Sequence, residues 1–170
     1  MRGQKPKNKD KEAPMDLQKA KEAAFNLLSR KSVSKHEMVS ALKKRGVSSD
    51  DCAEIVEYLT ETKYLDDAAF ARSMAVKLLR DKLFAPDRVI YELTRHGIKR
   101  ELASEILGKV NYNIDAAIAR IIEKNSANGT AGPDKIAGAL NRRGFRYEQY
   151  ADLLREYREN LNSEETYYEE

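Results

Sequence analysis

Apolar residues recur along this chain at the three-and-four spacing of a buried helix face, and the same arrangement comes round three times. Each block opens on a long amphipathic stretch. Its apolar positions are Leu17, Ala20, Ala24, Leu27 and Leu28 in the first block, Phe70, Ala71, Met74 and Leu78 in the second, and Ile114, Ala117, Ile118, Ile121 and Ile122 in the third. A shorter segment follows, ending on Leu42-Lys43-Lys44-Arg45-Gly46-Val47, Leu93-Thr94-Arg95-His96-Gly97-Ile98 or Leu140-Asn141-Arg142-Arg143-Gly144-Phe145. The glycines stand 51 and 47 residues apart, and eight residues before each lies Met38, Val89 or Ile136, on the same helical face as the leucine. A third stretch closes each block with Cys52, Ile55, Val56 and Leu59, then Leu102, Ala103, Ile106 and Val110, then Tyr150, Leu153, Leu154 and Tyr157. The pattern predicts an all-α protein of three tandem three-helix repeats, over 15–65, 66–110 and 111–159. Stacking such units gives an elongated array.

Local signals mark where the helices start and stop. Each glycine is expected just past a middle helix, where left-handed backbone is free of Cβ strain. Ser34-Lys35-His36-Glu37 has the form of a capping box, and Pro86 and Pro133 stand where first-turn prolines are favoured. In Tyr64-Leu65-Asp66-Asp67-Ala68-Ala69-Phe70-Ala71 the apolar residues can pack at the join between repeats while an aspartate caps the next helix. The stretch 125–132 reads as a flexible loop inserted in the last repeat, which should then be the most mobile one. Residues 1–14, with Pro6, Pro14 and almost nothing to bury, read as a disordered basic arm, and 160–170 as a frayed or disordered acidic tail.

Composition narrows the chemistry. Cys52 is the only cysteine, and with His36 and His96 as the only histidines no zinc set is expected. Cys52 falls on the apolar stripe of its helix, where a thiol behaves as a small hydrophobe, and the histidines read as surface residues. The adjacent Asp66 and Asp67 could hold Mg²⁺ in a nuclease, but that chemistry needs more converging ligands than the sequence offers. No cofactor, metal or catalytic residue is expected, nor any membrane span, since no apolar run approaches the roughly 18 residues required. A soluble, cytoplasmic monomer is the expectation.

Charge points outward to a partner. The net charge of +3 divides into +3 on residues 1–14, −5 on 156–170 and +5 on the body between. Lys43, Lys44, Arg45, Lys77, Arg80, Lys82, Arg88, Arg95, Lys99, Arg100, Arg142, Arg143 and Arg146 gather around the middle helices. Taken singly, each is accounted for as a solubilising charge at a helix end. Taken as a set on stacked repeats, they form a face able to track phosphates or acidic side chains without reading sequence. Three readings stay open for such a chain: a stand-alone DNA-binding protein of helix-turn-helix type, a general helical-repeat adaptor, and a metal-dependent nuclease.

The three glycine units, the Tyr64-Leu65-Asp66-Asp67…Phe70-Ala71 segment and the run from Pro86-Asp87-Arg88-Val89 through Glu92-Leu93 to Gly97-Ile98 together resemble the RecX family over about residues 20–158. Ala85, where relatives often carry glycine, and the 125–132 insert depart from its pattern. The resemblance implies a curved, extended molecule lying in the groove of the RecA–DNA filament. There it would inhibit strand exchange, ATP hydrolysis and coprotease activity without catalysis of its own. The implied partners are the RecA filament and DNA, single- or double-stranded and bound without sequence preference.

Overall fold

The structure is a computed structural model that describes residues 16–126 and 132–167, with side chains as far as residue 160. Among the described residues every regular element is helical: α1 (Leu17–Leu28), α2 (Lys35–Lys43), α3 (Ser49–Glu61), α4 (Asp67–Arg80), α5 (Pro86–Arg95), α6 (Arg100–Gly108), α7 (Ile114–Ser126), α8 (Pro133–Arg142) and α9 (Tyr147–Tyr167). The helices form two compact units, the first ending at Asp67 and the second beginning at Ala68.

In the first unit α1, α2 and α3 pack on one another around Ala20, Ala24, Val33, Met38, Leu42, Cys52, Ile55 and Leu59. Local chemistry places the helix starts. The Ser34 hydroxyl accepts from the Glu37 N–H at 3.1 Å while the Glu37 carboxylate accepts from the Ser34 N–H at 3.2 Å, so two otherwise orphaned donors are satisfied at the head of α2. Ser48 caps α3 more simply, its hydroxyl accepting from the Asp51 N–H and donating to the Asp51 carboxylate. A further seal comes from far along the chain: the Asp67 carboxylate accepts from the Lys35 N–H at 2.9 Å. Of the two adjacent aspartates, Asp67 is the first residue of α4 and its carboxylate serves the head of α2. Leu65 is buried in the same core, so the connector after α3 belongs structurally to the first unit.

All three middle helices end alike. Gly46, Gly97 and Gly144 have φ of 81°, 82° and 87°. The residue after each glycine donates back to the leucine carbonyl: Val47 to Leu42, Ile98 to Leu93 and Phe145 to Leu140. The glycine N–H donates to Lys43, Thr94 and Asn141 respectively, giving the paired bonds of a Schellman turn. Each apolar pair so joined is buried, which welds turn and core together.

The second unit holds two further cores. One joins Ala71, Ala75 and Leu79 of α4 to Val89, Leu93, Ile98, Ala103 and Ile106. The fully buried row of α4 is thus 71, 75 and 79, whereas Phe70, Met74 and Leu78 lie half-buried beside it. The sequence reading named Ala71 but took Phe70, Met74 and Leu78 with it, whereas the buried row continues along every fourth residue to Ala75 and Leu79. The other core gathers Ala117, Ile118, Ile121, Ile122, Ile136, Ala139, Leu140, Phe145, Tyr150 and Leu154, and it also takes in Leu83 and Ala85 from the α4–α5 connector. Leu83 has φ 54°, a conformation costing an L-residue about 1–2 kcal/mol, and burial of its side chain, worth about 2 kcal/mol, offsets that strain.

Two helix ends differ from expectation. Asn125 and Ser126 belong to α7, their side chains bonded back to the Ile121 and Ile122 carbonyls, and Gly132 is the N-cap of α8; the remainder of the expected 125–132 loop lies outside the described residues. The helix α9 continues to Tyr167 rather than stopping near 159. Between those points the sequence has neither proline nor glycine to stop a helix. The expected basic arm, 1–14, also lies outside the described residues.

Tyr112 marks where the two cores of the second unit meet. Its hydroxyl donates to the Phe84 carbonyl at 3.0 Å, and burial pushes its pKa from the usual 10 to about 12. The folded chain therefore keeps a proton that the unfolded chain releases above pH 10. This contribution is fully present below pH 10, is lost between 10 and about 12, and then levels off. We expect the urea midpoint of the parent chain to fall more steeply over that window than that of Tyr112→Phe; parallel curves would show that the phenol titrates normally.

Candidate polyanion-binding faces

In the first unit Lys43, Lys44 and Arg45 are all exposed, at the end of α2 and in its glycine turn. Cations here complement the negative end of the helix dipole, so local energetics alone would favour them. In the second unit Lys77, Arg80 and Lys82 are exposed on the last turns of α4 and just beyond, and Arg142 is exposed at the end of α8.

Lys99 and Arg100 stand apart. They are exposed and occupy the N-cap and first position of α6, where no side chain caps the helix. The dipole disfavours cations there, and the corresponding positions of the first unit carry serine. Together with exposed Arg95, which ends α5, they give the α5–α6 turn a positive rim, of which Lys99 and Arg100 are the part that helix energetics do not explain.

Three other arginines are tied into the second unit. Arg143 Nε donates to the Lys82 carbonyl at 3.2 Å and its Nη1 to the Ala139 carbonyl at 2.9 Å, while its own carbonyl accepts from the Ala85 N–H at 2.9 Å. Arg146 pairs with Asp87 at 3.3 Å. Arg88 lies against Gly144, its Cβ only 2.7 Å from where a Cβ on that glycine would stand. These residues hold the α4–α5 connector and α5 against the turn after α8.

Arg88 also belongs to a ladder that the sequence reading missed. Its guanidinium lies 5.7 Å from the Phe84 ring centroid and 5.3 Å from that of Tyr91, with Arg95 at 5.9 Å from Tyr91. Glu92 pairs with Arg88 at 2.6 Å and with Arg95 at 3.3 Å. Aromatic and arginine residues at 84, 88, 91 and 95, spaced by four, three and four, are the signal that could have disclosed it.

The remaining chemistry is sparse. Cys52 is buried, its sulfur 3.9 Å from the Val47 carbonyl oxygen, and burial pushes the thiol pKa up, keeping it protonated. His36 is exposed; His96 is half-buried, its ring 5.9 Å from that of Phe70. No group of three His, Cys, Asp or Glu suited to a metal ion occurs among the described residues. A groove of about 590 Å³ beside α7 and α9 is lined by Ile114, Asp115, Glu148, Gln149, Asp152 and Leu153, the wrong sign for a polyanion. No described helix is long and apolar enough to cross a membrane.

Residues 20–59 match the family model described as RecX, first three-helix domain. The match covers α2 and most of α1 and α3, the Ser34 cap and the Gly46 turn. Regulatory protein RecX of Caldanaerobacter subterraneus subsp. tengcongensis is 26% identical over 141 residues, spanning 82% of this chain and 71% of that protein. The chain is thus similar to RecX proteins over most of its length, and its first three-helix unit matches their family model. The chain spans little more than half the length of some of these relatives: the RecX protein from Bacillus licheniformis is 29% identical over 83% of this chain, but that alignment spans only 56% of the relative. Likewise the match to the Geobacillus kaustophilus RecX spans 54% of that protein. The RecX fold is shared too. The crystal structure of RecX from Lactobacillus salivarius aligns with a TM-score of 0.67 at 22% identity, covering 82% of this chain and 95% of the other. A second crystal structure, of a regulatory protein RecX, gives 0.65 at 19% identity over 79% of this chain and 70% of the other. These RecX relatives are named regulatory proteins, not enzymes.

Proposed function

We propose that this chain binds the RecA–DNA filament and restrains it, lowering its recombinase, ATPase and coprotease activities. Similarity to RecX proteins supports the reading, and one observation carries it here: Lys99 and Arg100 are exposed at the head of α6, where the helix dipole disfavours cations, and exposed Arg95 ends α5 just before them. Such a rim suits the phosphates and carboxylates along a nucleoprotein filament. The reaction chemistry stays with the recombinase, and this chain acts by occupancy. Lys43, Lys44, Arg45, Lys77, Arg80, Lys82 and Arg142 are further contacts in this reading, whereas Arg88, Arg143 and Arg146 serve chiefly to hold the second unit together.

The reading is tested by following RecA-dependent ATP hydrolysis on single-stranded DNA as the chain is titrated in, with a parallel DNA-binding assay lacking RecA. Inhibition is expected well below the concentration at which the chain coats bare DNA. Inhibition that sets in only as free DNA is sequestered would favour a stand-alone DNA-binding protein, whose three-helix units have the form of a helix-turn-helix reader.

A further inference from the structure

We propose that Tyr91, flanked by Arg88 and Arg95, is a stacking platform for an unpaired base of single-stranded DNA. The ring is 53% exposed on the outer face of α5, although a large aromatic group gains free energy by leaving water. It is also held in place. Phe84, Arg88, Tyr91 and Arg95 form a continuous aromatic–cation ladder, with separations of 5.7, 5.3 and 5.9 Å between guanidinium and ring centroid. Glu92, its side chain only 13% exposed, grips both arginines and fixes their place beside the ring. Arg88 Nε is buried with no hydrogen-bond partner, so that edge of the guanidinium is held by packing.

The chemistry of the ladder selects its occupant. Two guanidinium groups share one carboxylate, leaving a surplus positive charge beside an open aromatic ring. A nucleotide supplies both complements, a phosphate for the charge and a π-face for the ring. Duplex DNA keeps its π-faces stacked on one another and offers the charge complement alone. An acidic peptide would engage the arginines and leave the ring unused. The platform therefore favours single strands and, because every base has a π-face, tolerates any sequence. This deepens the filament-binding reading by naming a strand and a contact, but its test omits the recombinase, so the two can fail separately.

The chain contains no tryptophan, so Tyr91→Trp in the full chain places a sole indole at the platform. Oligo-dT is expected to quench its emission and a hairpin duplex to leave it unchanged. Tyr91→Leu, which keeps bulk and helix propensity without a π-face, is expected to bind oligo-dT about tenfold more weakly, with duplex affinity and the salt dependence of binding unchanged. Emission that stays constant while oligo-dT binds, an equal loss on duplex, or no binding of oligo-dT by the parent chain would each overturn the proposal. So would a Tyr91→Leu chain that binds oligo-dT normally but no longer inhibits RecA, since the ring would then be docking on protein.

Discussion

Gly144→Val is expected to destabilise the second unit by about 3 kcal/mol, the sum of two separate penalties. The first is conformational: at φ 87° a side chain with a Cβ meets the backbone, at about 1–2 kcal/mol. The second is steric. A Cβ at this position would lie 2.7 Å from Arg88 Cβ and 3.7 Å from Ala85 Cβ. Arg88 Cβ is fixed to the backbone of α5 and cannot swing aside as the end of a long side chain could, so the helix or the turn must shift, an overpacking cost of about 1–3 kcal/mol. Gly46→Val supplies the control. Its φ is 81°, but nothing lies within 4 Å of the added Cβ, so only the conformational penalty applies. Urea unfolding followed by circular dichroism should show the larger loss at Gly144; equal losses would mean that the approach of Arg88 has no energetic weight.

The triple variant Arg95→Glu, Lys99→Glu, Arg100→Glu is expected to raise the concentration needed for half-inhibition of RecA ATP hydrolysis about a hundredfold at low salt. Each substitution removes an attraction and adds a repulsion. If all three residues contact phosphates, the salt dependence of binding should also flatten by about three in its logarithmic slope. The fold should be unharmed. Glutamates at the head of α6 complement the helix dipole better than the native cations do, and the Arg95–Glu92 pair that is lost is exposed on the arginine side, where such pairs contribute about 1 kcal/mol or less. Unchanged inhibition with unchanged helicity would remove this rim from the interface and leave the first-unit cluster Lys43, Lys44 and Arg45 as the next to reverse.

Much of the architecture was legible because its determinants are local. The Ser34 capping box, the first-turn prolines Pro86 and Pro133 and the positive φ of Gly46, Gly97 and Gly144 each depend on a handful of adjacent residues, and all are present. Contacts between distant segments were not legible. Nothing in the Asp66-Asp67 pair says that one of its carboxylates serves a helix more than thirty residues earlier, and only the fold brings Asp67 to Lys35. The basic set shows the same limit more sharply. A sequence assigns Arg143 and Arg95 the same charge, but one spends its donors on the Lys82 and Ala139 carbonyls while the other stands 62% exposed. The Tyr91 ladder was hidden for the opposite reason: its spacing is plain, but attention to charge alone passed over the rings between the arginines.

The reach of Asp67 back to α2 also sets where a scissile boundary can fall. A fragment cut at the limits of the family match, 20–59, would lose buried Leu65 and uncover the Lys35 N–H that Asp67 accepts from, along with the opening turn of α1. A version of the first domain that keeps this core and this cap therefore extends through residue 67, and the opening residue of the fourth helix is inherited by the domain before it.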